Sequence, residues 1–234
     1  MEIERKNQNN NNFDDLMELF EIDYVYENKP IKRTIDVLNI TEKQSLLEIL
    51  KKKIMNISDC ELKKNSSQIV FGDGDPQSSI MIVGEGPGQK EDEVGKPFVG
   101  DAGALLNKML EAINIKRSNT YITNVVNYRP PNNRKPDPSE IKKYSVFLRE
   151  HIKIVDPKIL ILMGSTAMEA LFGNSIKISK ERGNWKELII NQKTYQTILT
   201  FHPAYLLRQP DQKKYSWVDL KMIKKRIDEL KIII

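Results

Sequence analysis

Four short, almost unbroken apolar runs mark the middle and end of this chain: SIMIVG (79–84), TYITNVV (120–126), KILILMG (158–164) and YQTILTF (195–201). Runs of this length and composition read as strands buried on both faces. Between them the periodicity changes to that of amphipathic helices. DAGALLNKMLEAIN places Leu105, Leu106, Met109, Leu110 and Ile113 on one side, with Asp101 as the expected cap. DPSEIKKYSVFLREHIKIV carries a proline in its first turn, and STAMEALFG ends at Gly173. A last helix is expected over 211–231. Alternating buried strands and helices predict an α/β fold: a three-layer sandwich around a central, mostly parallel four-stranded sheet, with a helical N-terminal extension.

Ligands of such sheets bind beyond the carboxyl ends of the strands. Four unusual segments follow those ends: GEGPG after 79–83, NVVNYRPPNN near 124, GST after 163 and HPAYLLR after 201. All four are expected to crowd one rim.

The rest of the chain bounds the reading. Residues 1–12 are polar and Asn-rich, and read as a disordered tail. Residues 13–56 read as a helical extension and linker. FDDLMELFEI places Phe13, Leu16, Met17 and Phe20 on one face, and TEKQSLLEILKKKIMNI is a helix that Thr41 can cap. Residues 57–234 form the α/β domain. No apolar run approaches the roughly 18 residues of a membrane span. Cys60 is the single cysteine, so no intrachain disulfide forms. That usage and the absence of a signal peptide lead to an expected cytoplasmic location. The net charge of +5 allows an anionic partner without requiring one. Arg129, Arg134 and Lys135 share NYRPPNNRKP with no acid among them.

Single residues weigh unequally. The loop GEGPGQKEDEVGKPFVGDAG matches neither the Walker spacing nor the dinucleotide fingerprint. Phe98 within it reads as core or as a stacking surface. Asn124 is harder to dismiss, because an amide in an apolar strand is costly unless it is paired. His202 and His151 are the only histidines. His151, on a charged helix without convergent neighbours, reads as structural.

Jointly, GEGPGQKEDEVGKPFVGDAGALLNKML, TNVVNYRPPNNR and HPAYLLR, in this order and spacing, resemble the family 4 uracil-DNA glycosylases over roughly residues 57 to 230. The resemblance implies base flipping and hydrolysis of the N-glycosidic bond of uracil in DNA. His202 matches the histidine that donates to uracil O2. Asn124 matches the base-reading asparagine, and Phe98 the aromatic that stacks on the flipped base. Glu85 and Gly86 match the first motif. Asn133 and Glu85 are the candidates for positioning water, and Glu91 matches an acid that excludes thymine by crowding C5. Leu206 or Leu207 would fill the vacated stack, with Arg208 on phosphate and Arg134 as a further DNA contact. A monomer is expected, with uracil-containing DNA as partner and the N-terminal extension as a docking segment for a replication or repair protein. The alternatives are a non-catalytic DNA-binding module of the same fold and a glycosylase for another base.

The family resemblance also implies a 4Fe–4S cluster on four cysteines. Here Ile57, Cys60, Tyr128 and Tyr144 stand at those positions. One thiol cannot hold the cluster. The expectation is therefore no cofactor and no metal, with Ile57 and the tyrosines packed where the cluster would lie.

Overall fold

The computed structural model describes residues 39–173 and 177–233. The expected tail and the helix expected over 13–22 lie outside them. The elements run α1 (Ile40–Met55), α2 (Glu61–Lys64), β1 (Asp73–Gly74), β2 (Ile80–Gly84), α3 (Gln89–Val94), α4 (Asp101–Glu111) and β3 (Tyr121–Asn124). They continue with α5 (Pro138–Val155), β4 (Ile159–Met163), α6 (Ser165–Phe172), α7 (Ile178–Glu181), β5 (Trp185–Ile190), β6 (Lys193–Thr200), α8 (Pro203–Arg208) and α9 (Lys213–Glu229).

The strand order is β1-β3-β2-β4-β6-β5. The four apolar runs form the parallel centre, β3-β2-β4-β6. Two antiparallel edge strands complete the sheet to six. β5 joins β6 by a tight turn in which Asn191 and Gln192 both have positive φ, the backbone that suits the twist of a two-residue hairpin. Within the centre, side chains alternate between two cores. Ile80 and Ile82 face one, and Met81 and Val83 face the other. The first face is covered by Leu106 and Leu110 of α4 and Leu220, Ile223 and Ile227 of α9. The second is covered by α5, α6 and Leu47, Leu50 and Ile54 of α1. These are the three layers.

Three sequence expectations change. The boundary read at residue 57 does not separate α1 from the sheet, because its apolar stripe lies in the same core. α1 is capped by Asn39 and not by Thr41: Asn39 accepts from the Glu42 amide and Glu42 accepts from the Asn39 amide, a reciprocal pair. The N-cap of α4 is Gly100, so Asp101 is its first helical residue.

β2 is followed by β3 on one side and by β4 on the other. The chain therefore reverses its winding direction at the tip of β2, where a crevice opens. Register aligns the tips: Gly84 lies opposite Asn124, and Met163 opposite Thr200.

Candidate active site

Beyond those tips lies a cavity of about 480 Å³. Its walls include Glu85, Gly86, Glu91, Phe98, Asn124, Asn133, Arg134, His202 and Arg208. Three separate stretches of sequence thus converge on one space, and Gly164 and Ser165 after β4 add a fourth.

Close backbone packing sets the floor. A Cβ on Gly84 would lie 2.4 Å from Asn124 Oδ1 and 2.5 Å from Phe98 Cζ, so both side chains rest against the bare Cα. At Gly86 it would come 2.7 Å from Val126 Cγ2. Asn124 is 3 % exposed, and among the described residues its side-chain amide makes no hydrogen bond. An amide so placed keeps both its donor and its acceptor for whatever enters the cavity.

Phe98 is buried and has φ of +53°, a backbone conformation costly for an aromatic residue and sustained only by its surroundings. Those surroundings are on hand. Arg117 donates to the carbonyls of Pro97 (2.7 Å) and Phe98 (3.0 Å). Glu91 accepts from the amides of Val99 (2.9 Å) and Gly100 (2.8 Å). Gly103 leaves room for the Phe98 carbonyl, which a Cβ would meet at 1.9 Å. The Phe98 ring also lies against that of His202, with centroids 5.4 Å apart.

His202 is the N-cap of α8, and its Nδ1 accepts from the Ala204 amide at 3.2 Å. An accepting nitrogen carries no proton, so the neutral ring bears its hydrogen on Nε2. Part of the residue's surface stays open to the cleft, but protein surrounds most of the ring. That burial, with the nearby Arg208 charge, pushes its pKa down to about 4. At neutral pH the imidazole is an uncharged donor held rigidly at the cavity wall.

On the rim, Glu85 accepts from the Thr166 hydroxyl. Asn133, at φ +56°, accepts from Arg129 Nε at 2.8 Å and keeps its amide donors. Arg134 is forked onto Glu140, at 2.8 and 2.7 Å, so its charge is largely matched within the chain. Arg208 is exposed, with no acidic partner among the described residues.

Several expectations are sharpened. Leu206 is 1 % exposed and belongs to the core beneath α8, whereas Leu207 is 43 % exposed. Both carboxylate oxygens of Glu91 are engaged by backbone amides, since Oε2 also accepts from Gly88 at 3.2 Å. Glu91 therefore holds the Phe98 loop while lining the cavity. Sequence reading missed Ser165, Ile178, Ser179 and Tyr205 as wall residues and Thr166 as a partner of Glu85. The GST segment after β4 carried a signal for Ser165 and Thr166; nothing local marked Ile178 and Ser179 of α7.

His151 is structural: it is 2 % exposed, stacks on Phe71 at 4.5 Å and bonds Tyr121 Oη through Nε2 at 2.9 Å. Burial lowers its pKa to about 3.

The four positions of the implied iron–sulfur ligands do come together. Cys60, Tyr128 and Tyr144 are buried in one core, and Ile57 packs against it. Cys60 Sγ lies 3.1 Å from Tyr144 Oη. Burial pushes both phenols' pKa values up, so they stay protonated. One thiol, two neutral phenols and an alkyl chain do not fit a cluster that needs thiolate ligands. Among the described residues, no group of three or more His, Cys, Asp or Glu side chains could hold a metal ion.

Comparison with known proteins agrees with this geometry. Residues 71–225 match the family model of the uracil DNA glycosylase superfamily. A type-4 uracil-DNA glycosylase of Thermotoga maritima is 41% identical over 167 residues, covering 71% of this chain and 85% of that protein. Those of Sulfurisphaera tokodaii and Archaeoglobus fulgidus are 38% and 35% identical, with 76% of this chain aligned in each case and 83% and 91% of the relatives. With its motifs on the strand tips and its similarity spanning most of each relative, the chain belongs to the uracil-DNA glycosylase superfamily, in its type-4 branch.

Proposed function

We propose that this protein removes uracil from DNA, extruding the nucleotide into the 480 Å³ cavity and hydrolysing its N-glycosidic bond to leave an abasic site. The observation that carries the reading is the pairing of a neutral Nε2–H donor on His202 with an unbonded Asn124 amide in one cavity. Cleavage leaves negative charge on the departing base. A fixed donor aimed at that charge stabilises the transition state more than the ground state, because it needs no reorganisation as the bond breaks. Asn124 can donate to uracil O4 and accept from N3–H; cytosine presents the reverse pattern. Phe98 supplies the stacking face.

Water is held by Asn133 and Glu85. Asn133 has amide donors to spare, and Glu85 has one carboxylate oxygen beyond the Thr166 bond. Leu207 is the wedge, and Arg208 the phosphate contact. The Cys60–Tyr128–Tyr144 core replaces the cluster, so the enzyme works without a cofactor. It acts as a monomer in the cytoplasm, with a repair or replication partner docking through the N-terminal extension.

A labelled oligonucleotide with a single uracil tests the central reading. Wild-type protein should give alkali-labile breaks at the uracil. His202→Ala and Asn124→Ala should each lose about 10²- to 10³-fold in rate, the usual cost of an oxyanion-type donor. DNA binding without any abasic product would instead support a binding module. For the cofactor, iron and sulfide analysis after anaerobic purification should find neither; a stoichiometric cluster would refute that part alone.

A further inference from the structure

We propose that Tyr215, with the exposed Lys213 and Lys214 of the same helical turn, forms a second DNA contact. It would take the strand flanking the flipped nucleotide by stacking a base on the phenol and drawing phosphates to the cations. The proposal rests on the glycosylase reading for its ligand, but it stands on separate residues.

Tyr215 is 42% exposed in the first turn of α9. Lys214 Nζ lies 5.2 Å from its ring centroid and Arg182 Cζ 5.4 Å. Arg182, which lies over the ring, also donates to the Tyr215 carbonyl at 2.8 Å and is paired with the buried Asp219. The same guanidinium lies 5.7 Å over the ring of Phe201, a wall residue of the cavity. Tyr215 is therefore tied to that wall through one rigid side chain.

The surface is continuous with α8, which carries Leu207 and Arg208. Only residues 209–212, with the short turn Pro210–Gln212, separate α8 from α9. Arg208, Lys213 and Lys214 are exposed and have no acidic partner among the described residues; Asp211 is the single acid between them. Nearby, Arg182 is matched by Asp219 and Lys186 by Glu181. An exposed aromatic ring among unmatched cations, next to a cavity for a single base, has the chemistry of a single-strand platform: π-faces accept any base, and the cations track the backbone. Lys214 can swing from the ring to a phosphate and leave the ring face to the base.

The test uses the full chain and a uracil-free single-stranded oligonucleotide, with affinity read by fluorescence anisotropy. Tyr215→Ala should weaken binding roughly tenfold, and Tyr215→Phe should keep most of the affinity. Trp217→Ala is the control: Trp217 is equally exposed at 45% but sits two residues on, about 200° around the helix. It should bind as wild type does. In the uracil assay, Tyr215→Ala should raise KM far more than it lowers kcat. The effect should vanish with substrates shortened on one side of the uracil. Unchanged affinity in Tyr215→Ala overturns the proposal, as does an equal loss in Trp217→Ala or in Tyr215→Phe. The binding arm needs no catalysis. An inactive wild type would sink the glycosylase reading, while the anisotropy of Tyr215→Ala would still decide this one.

Discussion

At the scale of single residues, the site depends as much on missing atoms as on present ones. Gly84 has no side chain, and Asn124 and Phe98 occupy that space. Gly84→Ala should displace both from the base without touching the chemistry directly. A misplacement near 1 Å costs on the order of 10²-fold, so kcat/KM for uracil release should fall about that much while His202→Ala adds little further loss. Thr166 is buried and donates to Glu85. As a positioning residue it should show rescue: Thr166→Val should lose about tenfold in kcat, in line with a hydrogen bond to a charged group, and Thr166→Ser should restore most of it. That Asn124 and His202 would meet at one rim was legible, because both stand at the carboxyl ends of apolar strands, which share one edge of the sheet. The choice between Leu206 and Leu207 was not legible. Adjacent helical residues point about 100° apart, and which of them meets the core depends on where α8 lies.

At the scale of elements, the segment from Glu85 to Gly100, with α3 inside it, frames one side of the cavity. Its strained residue, Phe98, is held from three sides by Glu91, Arg117 and Gly103. Glu91→Ala should release the Val99 and Gly100 amides, which hydrogen exchange would report as faster exchange at those two positions. Uracil excision should fall through a higher KM, and release of thymine by this variant would show that the carboxylate also crowds C5. The central strands were readable because double burial leaves an uninterrupted apolar signal. The edges were not. β5 buries Leu188 and Ile190 while Glu187 and Ile189 face solvent, and its turn uses Asn191 and Gln192 at positive φ without a glycine to announce it. β1 is two residues long and, among the described residues, pairs with β3 alone.

At the scale of the whole molecule, two neutral histidines are built into opposite ends of the sheet's packing, and they set how the fold answers acid. His151 lies wholly inside, bonded to Tyr121, with its pKa lowered to about 3. His202 lies at the cavity wall, lowered to about 4. Unfolded, both would titrate near 6.5. Between these limits the unfolded chain binds more protons than the folded one, so stability rises with pH there. Above about pH 6.5 the histidines contribute no slope. As pH falls from 6.5 the folded state loses ground, and His151 alone removes about 2 kcal/mol by pH 5, since each pH unit inside its window is worth about 1.4 kcal/mol. Asp219, whose pKa burial raises, acts with the opposite sign, so the net curve understates the histidine effect. Urea unfolding at pH 7.5 and pH 5 isolates it through a variant. His151→Gln keeps a polar partner for Tyr121 without a titrating ring, and should show about 2 kcal/mol less loss between the two pH values than wild type. An identical loss in both proteins would mean that His151 does not enter the folded core uncharged. Activity should behave differently over the same range. With His202 neutral down to about pH 4, kcat should show no histidine limb near 6.5, and a limb at that pH would contradict the neutral donor on which the mechanism depends.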